Sequence, residues 1–244
     1  MNGKTINSFT DFIKFIEKEC EDDNTLFRGQ REDLPLLPKI ARINLRDDLL
    51  NSEKKIFDDF KRRSIPFLGY SPQNDWDWIA LAQHYGLPTR LLDWTLNPLA
   101  ALWFAVNKES NKDEITGLNK DGVIWIFQAN DGDYADTEDI KSKPFNQTIT
   151  KVFQPKILTG RINTQSGWFT IHKYNSERKG FVKFETNLSY KNKLKKLIIP
   201  AKSFSDIRYQ LDRCGTNSSS LFPDLDGLCS HIQWMYSLLD DEEE

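Results

Sequence analysis

Cysteine is scarce in this sequence of 244 residues, and a long apolar run is lacking. The cysteines are odd in number and lack Cys-x-x-Cys spacing, which predicts reduced, packed thiols rather than disulfides: Cys20, Cys214 and Cys229. No apolar stretch approaches the roughly 18 residues that a membrane-spanning helix needs. The first residues, MNGKTINSFTDF, lack the apolar core of a signal peptide. We therefore expect a cytoplasmic protein without membrane contact.

Histidine is equally scarce, and several catalytic signatures are missing. The histidines lie far apart in the sequence and form no His-Glu-x-x-His motif, so we expect no bound metal: His84, His172 and His231. The absence of a Walker-type phosphate loop, of Gly-x-Gly-x-x-Gly and of Gly-x-Ser-x-Gly disfavours nucleotide hydrolysis of that type, Rossmann cofactor binding and an α/β-hydrolase nucleophile. The net charge of −3 disfavours a general nucleic-acid binder.

Core-forming residues, in contrast, are plentiful. Hydrophobic residues make up 39% of the chain and aromatic residues 12%, which suffices for one large domain. The sequence shows no internal repeat and no linker rich in glycine, serine or proline. It predicts one α+β domain over residues 1–239, with a helical N-terminal half packed on a mixed or antiparallel sheet from the second half. The acidic end, residues 240–244, is expected to be disordered.

Apolar periodicity and capping residues predict the secondary-structure elements. The predicted helices begin after Ser8, cover Ser52–Ser64 and Asp75–Tyr85, run from Asn97 through Val106, run from a Ser203 cap to Gly215, and cover Pro223–Leu239. The predicted strands are Thr25–Gly29, Gly122–Gln128, Trp168–His172, Phe181–Glu185 and Leu194–Pro200.

The stretch Gln83–Val106 concentrates the polar chemistry, and it reads QHYGLPTRLLDWTLNPLAALWFAV. A loop bearing His, Thr, Arg and Asp precedes a helix that is apolar nearly all round, so this helix is expected in the interior. A buried helix holds its preceding loop rigidly, and rigid polar loops are favoured places for binding and catalysis. The sequence therefore predicts a functional pocket made by this loop and the earlier Leu26–Gln30.

Arg28 and His84 each allow a functional and a structural interpretation. The Arg28 guanidinium can bind a phosphate or carboxylate in a forked geometry, with Gly29 permitting close backbone approach. It can equally pair inside the protein, for example with Asp93. His84, at the end of a helix, can act as a general base or contact a ligand hydroxyl. Its structural alternative is to cap the helix carbonyls.

Polar residues that follow His84 alternate with leucine and tryptophan. Thr89, Arg90 and Thr95 are candidates for lining the pocket. Asp93 is expected to orient Arg28, Arg90 or His84, or else to cap the following helix. Gln165, in a turn before a strand, places an amide where a catalytic carboxylate might otherwise be. The structural interpretation of Gln165 is an ordinary turn residue.

Four motifs in sequence order make the chain resemble FRG domain proteins, a family of bacteria and phages. They are LFRGQ, LAQHYGLPTRLLDWTLNPLAALWFA, RINTQSGWFT and LFPDLDGL, which extend from about Leu26 to His231. The family takes its name from the triplet Phe27, Arg28 and Gly29. The resemblance implies the fold more than the activity.

A second resemblance, to the ADP-ribosyltransferase superfamily, implies a chemistry. Its members bind NAD on a split sheet through an aromatic-Arg-Gly strand, to which Phe27, Arg28 and Gly29 are similar. A Ser/Thr-bearing strand and a small-residue helix follow, which resemble Thr89–Thr95 and Ala100–Ala105. The third motif is a strand that begins near a catalytic Glu, and the turn around Gln165 stands in its place. Glutamine cannot act as that carboxylate, so another acid would have to serve, or binding occurs without turnover.

These resemblances imply an intracellular nucleotide-binding protein that uses NAD as a substrate for ADP-ribose transfer or hydrolysis, with a protein or nucleic acid as acceptor. His84, Asp93 and Gln165 are then the catalytic candidates. Ligand contacts fall to Phe27, Arg28, Gly29, Thr89, Arg90 and Thr95. Phage defence or a toxin effector role suits the family's distribution.

Two alternatives stay open. One is a module that senses a nucleotide or another anionic ligand, or binds a protein, without catalysis. The other is a metal-dependent nuclease in which Asp93, Asp224 and Asp226 hold Mg²⁺.

Overall fold

Seven short, largely apolar strands form one mixed sheet in the computed structural model, which describes residues 3–20, 24–70, 72–155 and 167–242. Together with the two strands of a separate hairpin, β7 and β8, the described strands are β1 (Lys4–Thr5), β2 (Thr25–Gln30), β3 (Leu91–Thr95), β4 (Gly122–Gln128), β5 (Lys151–Phe153), β6 (Gly167–Ile171), β7 (Tyr174–Asn175), β8 (Gly180–Phe181) and β9 (Leu194–Ile199). The sheet order is β1-β9-β4-β2-β3-β6-β5, while β7 and β8 pair separately. β1 lies parallel to β9, and the other neighbours are antiparallel.

Side-chain caps fix where several helices begin. Ser8 accepts a hydrogen bond from the Asp11 amide, and Asn97 accepts from the amides of Leu99 and Ala100. The helices are α1 (Phe9–Glu19), α2 (Leu49–Ser64), α3 (Asp75–His84), α4 (Pro98–Val106), α5 (Thr137–Lys141), α6 (Phe204–Arg213), α7 (Ser218–Leu221) and α8 (Leu225–Tyr236). None of these helices has both the length and the apolarity needed to cross a membrane.

Three apolar clusters hold the layers together. On one face of the sheet, α1, α4 and α6 pack on β2, β4 and β9 through residues such as Phe12, Phe27 and Phe204. Irregular segments carrying Leu36 and Phe184 cover the opposite face. α2 and α3 pack beside β3, β5 and β6 in the third cluster. The sheet is therefore buried on both faces, as its apolar strand sequences require.

The sheet opens between β2 and β3. β2 pairs with β4 over six residues, and β3 pairs with β6 over five. Between β2 and β3, in contrast, the paired register consists of Phe27 opposite Thr95 alone. The backbone groups of Arg28–Gln30 and Leu92–Trp94 that would otherwise face each other are thus left without a ladder between them. The two halves of the sheet meet at an opening that begins at Arg28.

The predicted α+β single-domain arrangement with a mixed sheet is confirmed. Leu91–Thr95, however, is a central strand rather than part of a loop, because β6 pairs with its whole length. The predicted strand Phe181–Glu185 is wrong. Phe181 ends β8, and Phe184 begins a 3-10 turn because its ring is buried against Phe127 and Tyr190. Ser203 occupies the predicted N-cap position of α6, but its hydroxyl donates to the Asn7 carbonyl oxygen and makes no capping hydrogen bond.

The C-terminal helix is shorter than predicted and largely uncovered. α8 begins at Leu225 because the Asp224 carboxylate accepts from the Gly227 amide. Much of its apolar surface faces solvent, and Leu225 is 76% exposed. Beyond it, Asp241 and Glu242 form ion pairs with the buried Arg208. These two ion pairs connect the acidic segment after α8 to α6.

Candidate functional site

Arg28 lies at the mouth of the opening between the half-sheets. Its Nη1 donates to the Asp93 carbonyl oxygen at 2.8 Å and lies 3.5 Å from the Asp93 carboxylate. The guanidinium thereby satisfies a backbone acceptor that lies where the β2–β3 ladder is open. Burial, the largest effect, lowers the pKa of Arg28, whereas the charge of Asp93 opposes this shift. The structure thus confirms the internal pairing of Arg28 with Asp93.

Asp93 belongs to a chain of side-chain hydrogen bonds that crosses from β3 to the end of α3. The Gln83 amide donates to the Asp93 carboxylate at 2.9 Å, and its oxygen accepts from the Thr89 hydroxyl at 2.6 Å. The Thr89 hydroxyl in turn accepts from the Leu91 amide. Asp93 remains 57% exposed while its position is fixed, so its carboxylate is oriented and accessible to a ligand. It does not cap α4, since Asn97 does so.

The other two residues of the Phe-Arg-Gly triplet have clear packing roles. Phe27 is buried in the cluster below α4 and α6. A Cβ added to Gly29 would lie 1.8 Å from the Ala101 carbonyl oxygen, so glycine is what permits α4 to rest on β2. Close packing of a helix, rather than of a ligand, accounts for Gly29. The assignment of Phe27 and Gly29 to a ligand remains a prediction that these contacts do not require.

Arg90 is directed away from Asp93, and its predicted pocket-lining role must be corrected. Only 1% of its side chain is exposed, and it forms a two-pronged ion pair with Glu53. Its Nη1 also donates to the Phe145 carbonyl oxygen, and the guanidinium packs against the rings of Phe145 and Phe181. All three guanidinium nitrogens are therefore engaged by the protein itself. Of the two arginines expected near Asp93, Arg28 pairs with it and Arg90 pairs with Glu53.

The remaining predicted residues differ in how they are placed. Thr95, at the end of β3, is buried, and its hydroxyl accepts from the Asn97 amide at 3.0 Å. His84 ends α3, and its ring contacts the Tyr85 ring edge-on. Its neighbour Gln83 makes the contacts to Thr89 and Asp93. Gln165 lies outside the described residues.

Four buried polar atoms near the opening have no hydrogen-bond partner in the described structure. They are Arg28 Nε, Gln30 Oε1, Trp125 Nε1 and Trp168 Nε1. Arg28 and Trp125 are directly opposite on β2 and β4, so their side chains share one face of the sheet. Trp125 and Trp168 belong to the apolar cluster of that same face. An unpartnered buried donor costs about 1–3 kcal/mol, so a ligand that brings acceptor oxygens to these donors would recover that energy.

Sequence reasoning missed Gln83, Gln30, Trp125 and the role of Trp168. Gln83 carried a usable signal, because it begins the polar stretch and lies one turn from the loop. The other three carried no such signal. That their side chains share one face of the sheet follows only from the order and register of the strands. The described residues contain no group of three or more His, Cys, Asp and Glu side chains able to hold a metal ion. The proposed nuclease carboxylates, Asp93, Asp224 and Asp226, therefore do not assemble into such a group.

A buried histidine lies on the same face of the sheet. The His172 ring is 1% exposed, and its Nε2 lies 3.1 Å from the Thr170 hydroxyl, which accepts from Trp94 Nε1. Because that hydroxyl already accepts one hydrogen bond from Trp94, it is placed to donate its own proton to an unprotonated Nε2. Burial, followed by the charges of Arg28 and Arg90, lowers the pKa of His172 to about 3.

We expect His172 to make stability depend on pH. Its pKa in the unfolded chain is about 6.5, so between that value and pH 3 the unfolded chain binds a proton that the folded chain excludes. Stability that is present above pH 6.5 is therefore lost as the pH falls, by about 2 kcal/mol between pH 7 and pH 5. Urea unfolding of wild type and His172→Gln between pH 5 and pH 7 measures this loss, with His231→Gln as control. If the free energy of unfolding of His172→Gln depends on pH as steeply as that of wild type, His172 is not the cause.

The fold and the site define an α+β protein with a mixed sheet that opens at a partly buried, carboxylate-paired arginine. Residues 23–114 match the family model of the FRG domain, so the predicted resemblance to the FRG domain family is confirmed over this part of the chain. The match includes LFRGQ and the Gln83–Val106 stretch, and it ends before RINTQSGWFT and LFPDLDGL. No curated protein and no solved structure matches the chain significantly.

Proposed function

We propose that the chain is a cytoplasmic, nucleotide-binding protein that uses NAD, transferring ADP-ribose to a protein or nucleic acid or hydrolysing the bond to nicotinamide. The observation that carries the proposal is the opening of the sheet at Arg28, where the partly buried guanidinium has a buried Nε–H without a partner. A guanidinium binds phosphate oxygens through parallel hydrogen bonds. A role in phage defence or as a toxin effector is part of this proposal.

The polar atoms around Arg28 support a pyrophosphate as the group bound there. Three of the unpartnered atoms are donors, on Arg28, Trp125 and Trp168, and one is the acceptor oxygen of Gln30. A pyrophosphate offers several acceptor oxygens to such donors, and its charge complements Arg28. Arg42 lies close enough for its charge to act on Arg28, which adds to the positive potential. A ribose hydroxyl is a suitable donor to Gln30.

Asp93 is the acid that the proposal assigns to the chemistry. Its carboxylate is exposed, is fixed by Gln83 and lies beside Arg28. Cleavage of the glycosidic bond of NAD passes through an oxocarbenium-like state, which a positioned carboxylate stabilises electrostatically. The proposal gives this role to Asp93 because Gln165 has no carboxylate.

The direct test is nicotinamide release from NAD by the purified protein. Arg28→Ala is expected to lower turnover by at least about 100-fold, because both positioning and charge stabilisation are lost. Asp93→Asn is expected to lower turnover while NAD binding persists. Arg62→Ala, which removes an exposed arginine on α2 paired with Asp59, serves as the control and should leave turnover unchanged. Turnover that survives Arg28→Ala in a folded protein would refute the proposal.

A sensing module without catalysis is the second candidate. The observation that favours it is the engagement of Arg28 by Asp93 and of Asp93 by Gln83, an arrangement that a bound anion would rearrange. This candidate predicts NAD-dependent thermal stabilisation that requires Arg28, with no nicotinamide released. The enzyme candidate predicts both stabilisation and release.

A further inference from the structure

A cavity lies between α8 and the body formed by α4 and α6, and none of its lining residues belongs to the Arg28 site. It is open to solvent and has a volume of about 630 Å³, which lies within the usual range for small-molecule sites. Three aromatic side chains and three polar ones dominate its walls: Trp103, Phe222, Trp234, Arg208, Asp212 and His231. We call it the C-terminal cavity.

The C-terminal cavity exists because α8 is attached at its two ends and does not pack along its length. At the first end, Gly227 lies so close to α7 that an added Cβ would lie 2.0 Å from the Phe222 carbonyl oxygen. At the other end, Trp234 Nε1 donates to Glu242, which is paired with Arg208. Gly227 is the one buried residue of α8. The inner face of the helix therefore lines a space instead of filling it.

The electrostatic balance of this space is negative. The Arg208 guanidinium is 4% exposed and is already neutralised by Asp241 and Glu242, which together bring two carboxylates to one cation. Burial, together with the charge of Glu242, raises the pKa of Asp241. Among the described lining residues, Asp212, Asp226 and Glu109 add further negative charge, against a single additional cation, Lys108.

Asp212 is the carboxylate best placed to receive a ligand. One of its oxygens accepts from the Asn217 amide at 2.8 Å and lies 3.5 Å from His231 Nε2. The ring of His231 is stacked on that of Trp234 with centroids 5.9 Å apart, and Trp103 contacts Phe222 at 5.8 Å. A fixed carboxylate is thus bordered by aromatic faces, which attract cations in addition to apolar groups.

We propose that the C-terminal cavity binds an organic cation, an ammonium or guanidinium group carried by an aromatic or aliphatic body. The charged group lies against Asp212, and the body occupies the space between Trp103, Phe222 and Trp234. The cation offsets the surplus of carboxylates, and the body removes aromatic surface from water. The site is separate from Arg28 and does not depend on the use of NAD.

Calorimetric titration of the whole protein with three probes of nearly equal size tests the proposal. The probes are 2-phenylethylammonium, the neutral 2-phenylethanol and the anionic phenylacetate. We expect the ammonium to bind at least about fivefold more tightly than the alcohol, because a cation near carboxylates and aromatic faces gains electrostatic energy. Phenylacetate should bind most weakly. Equal binding of the ammonium and the alcohol, or no binding of the ammonium at millimolar concentration, would overturn the proposal.

Two matched variants locate the binding. Asp212→Asn keeps the shape of the side chain and should weaken ammonium binding roughly fivefold, with little effect on 2-phenylethanol. Asp59→Asn makes the same charge change on the distant helix α2, where Asp59 is paired with Arg62, and should leave both affinities unchanged. If Asp59→Asn weakens ammonium binding as much as Asp212→Asn does, the attraction is general and the cavity is not the site. Thermal unfolding curves establish that both variants are folded.

Discussion

Gly29→Ala is expected to lower the free energy of unfolding by at least about 3 kcal/mol, because the added methyl group overlaps the backbone of α4. The new Cβ would lie 1.8 Å from the Ala101 carbonyl oxygen and 2.9 Å from the Ala105 amide nitrogen. Both are backbone atoms of a buried helix, so neither can rotate away. The loss corresponds to a decrease in melting temperature of roughly 6–12 °C, measured by calorimetry.

Gly132→Ala provides the matched control for this substitution. A Cβ at Gly132 meets nothing within 4 Å, so its effect should stay below about 0.5 kcal/mol. If Gly29→Ala were as stable as Gly132→Ala, α4 could not rest on β2 as described. The packing explanation for the glycine of the Phe-Arg-Gly triplet would then be wrong.

Glu53→Gln is expected to cost about 3 kcal/mol, because it leaves the Arg90 charge buried without a counter-charge. The pair is almost fully removed from water, with 1% of the Arg90 side chain and 4% of the Glu53 side chain exposed. Replacing both residues, as Glu53→Leu with Arg90→Met, should recover much of the loss, since removing a buried pair together is far cheaper than removing one partner. Urea unfolding of the two single variants and the double variant measures this coupling.

The control for this pair is Glu138→Gln, which removes the same charge from an exposed ion pair with Lys141. Exposed pairs contribute little to stability, so no measurable change is expected. A Glu53→Gln variant as stable as Glu138→Gln would show that Arg90 is not confined as the structure describes. Arg90 would then be available to a ligand again, as the sequence had suggested.

Local signals in the sequence predicted the elements whose ends are fixed by their own residues. Asn97 followed by Pro98 predicted the start of α4, and the Asn97 side chain does cap it. Strands β4 and β9 were predicted because each is a local run of apolar residues. The residue pattern alone did not predict Leu91–Thr95 as a strand, because its alternation lies beside polar loop residues and its pairing with β6 is non-local. The ADP-ribosyltransferase resemblance did imply a strand at Thr89–Thr95.

The site was predictable in part. The pairing of Arg28 with Asp93 was one of the alternatives that the sequence offered, because both residues lie in polar stretches beside apolar elements. The pairing of Arg90 with Glu53 was not, since Glu53 lies in a helix whose charged residues look solvated in the sequence. Likewise, the ion pairs of Asp241 and Glu242 depend on Arg208, which no local pattern connects with an acidic chain end.

Calorimetric titration with NAD and with nicotinamide riboside tests most directly the proposal that the opening at Arg28 binds a pyrophosphate-bearing nucleotide. The riboside keeps the nicotinamide and one ribose but has no phosphate. We expect wild type to bind NAD much more tightly than the riboside, and Arg28→Ala to lose at least about tenfold in affinity for NAD alone. If wild type binds NAD no better than the riboside, or if Arg28→Ala binds NAD as wild type does, the proposal is contradicted.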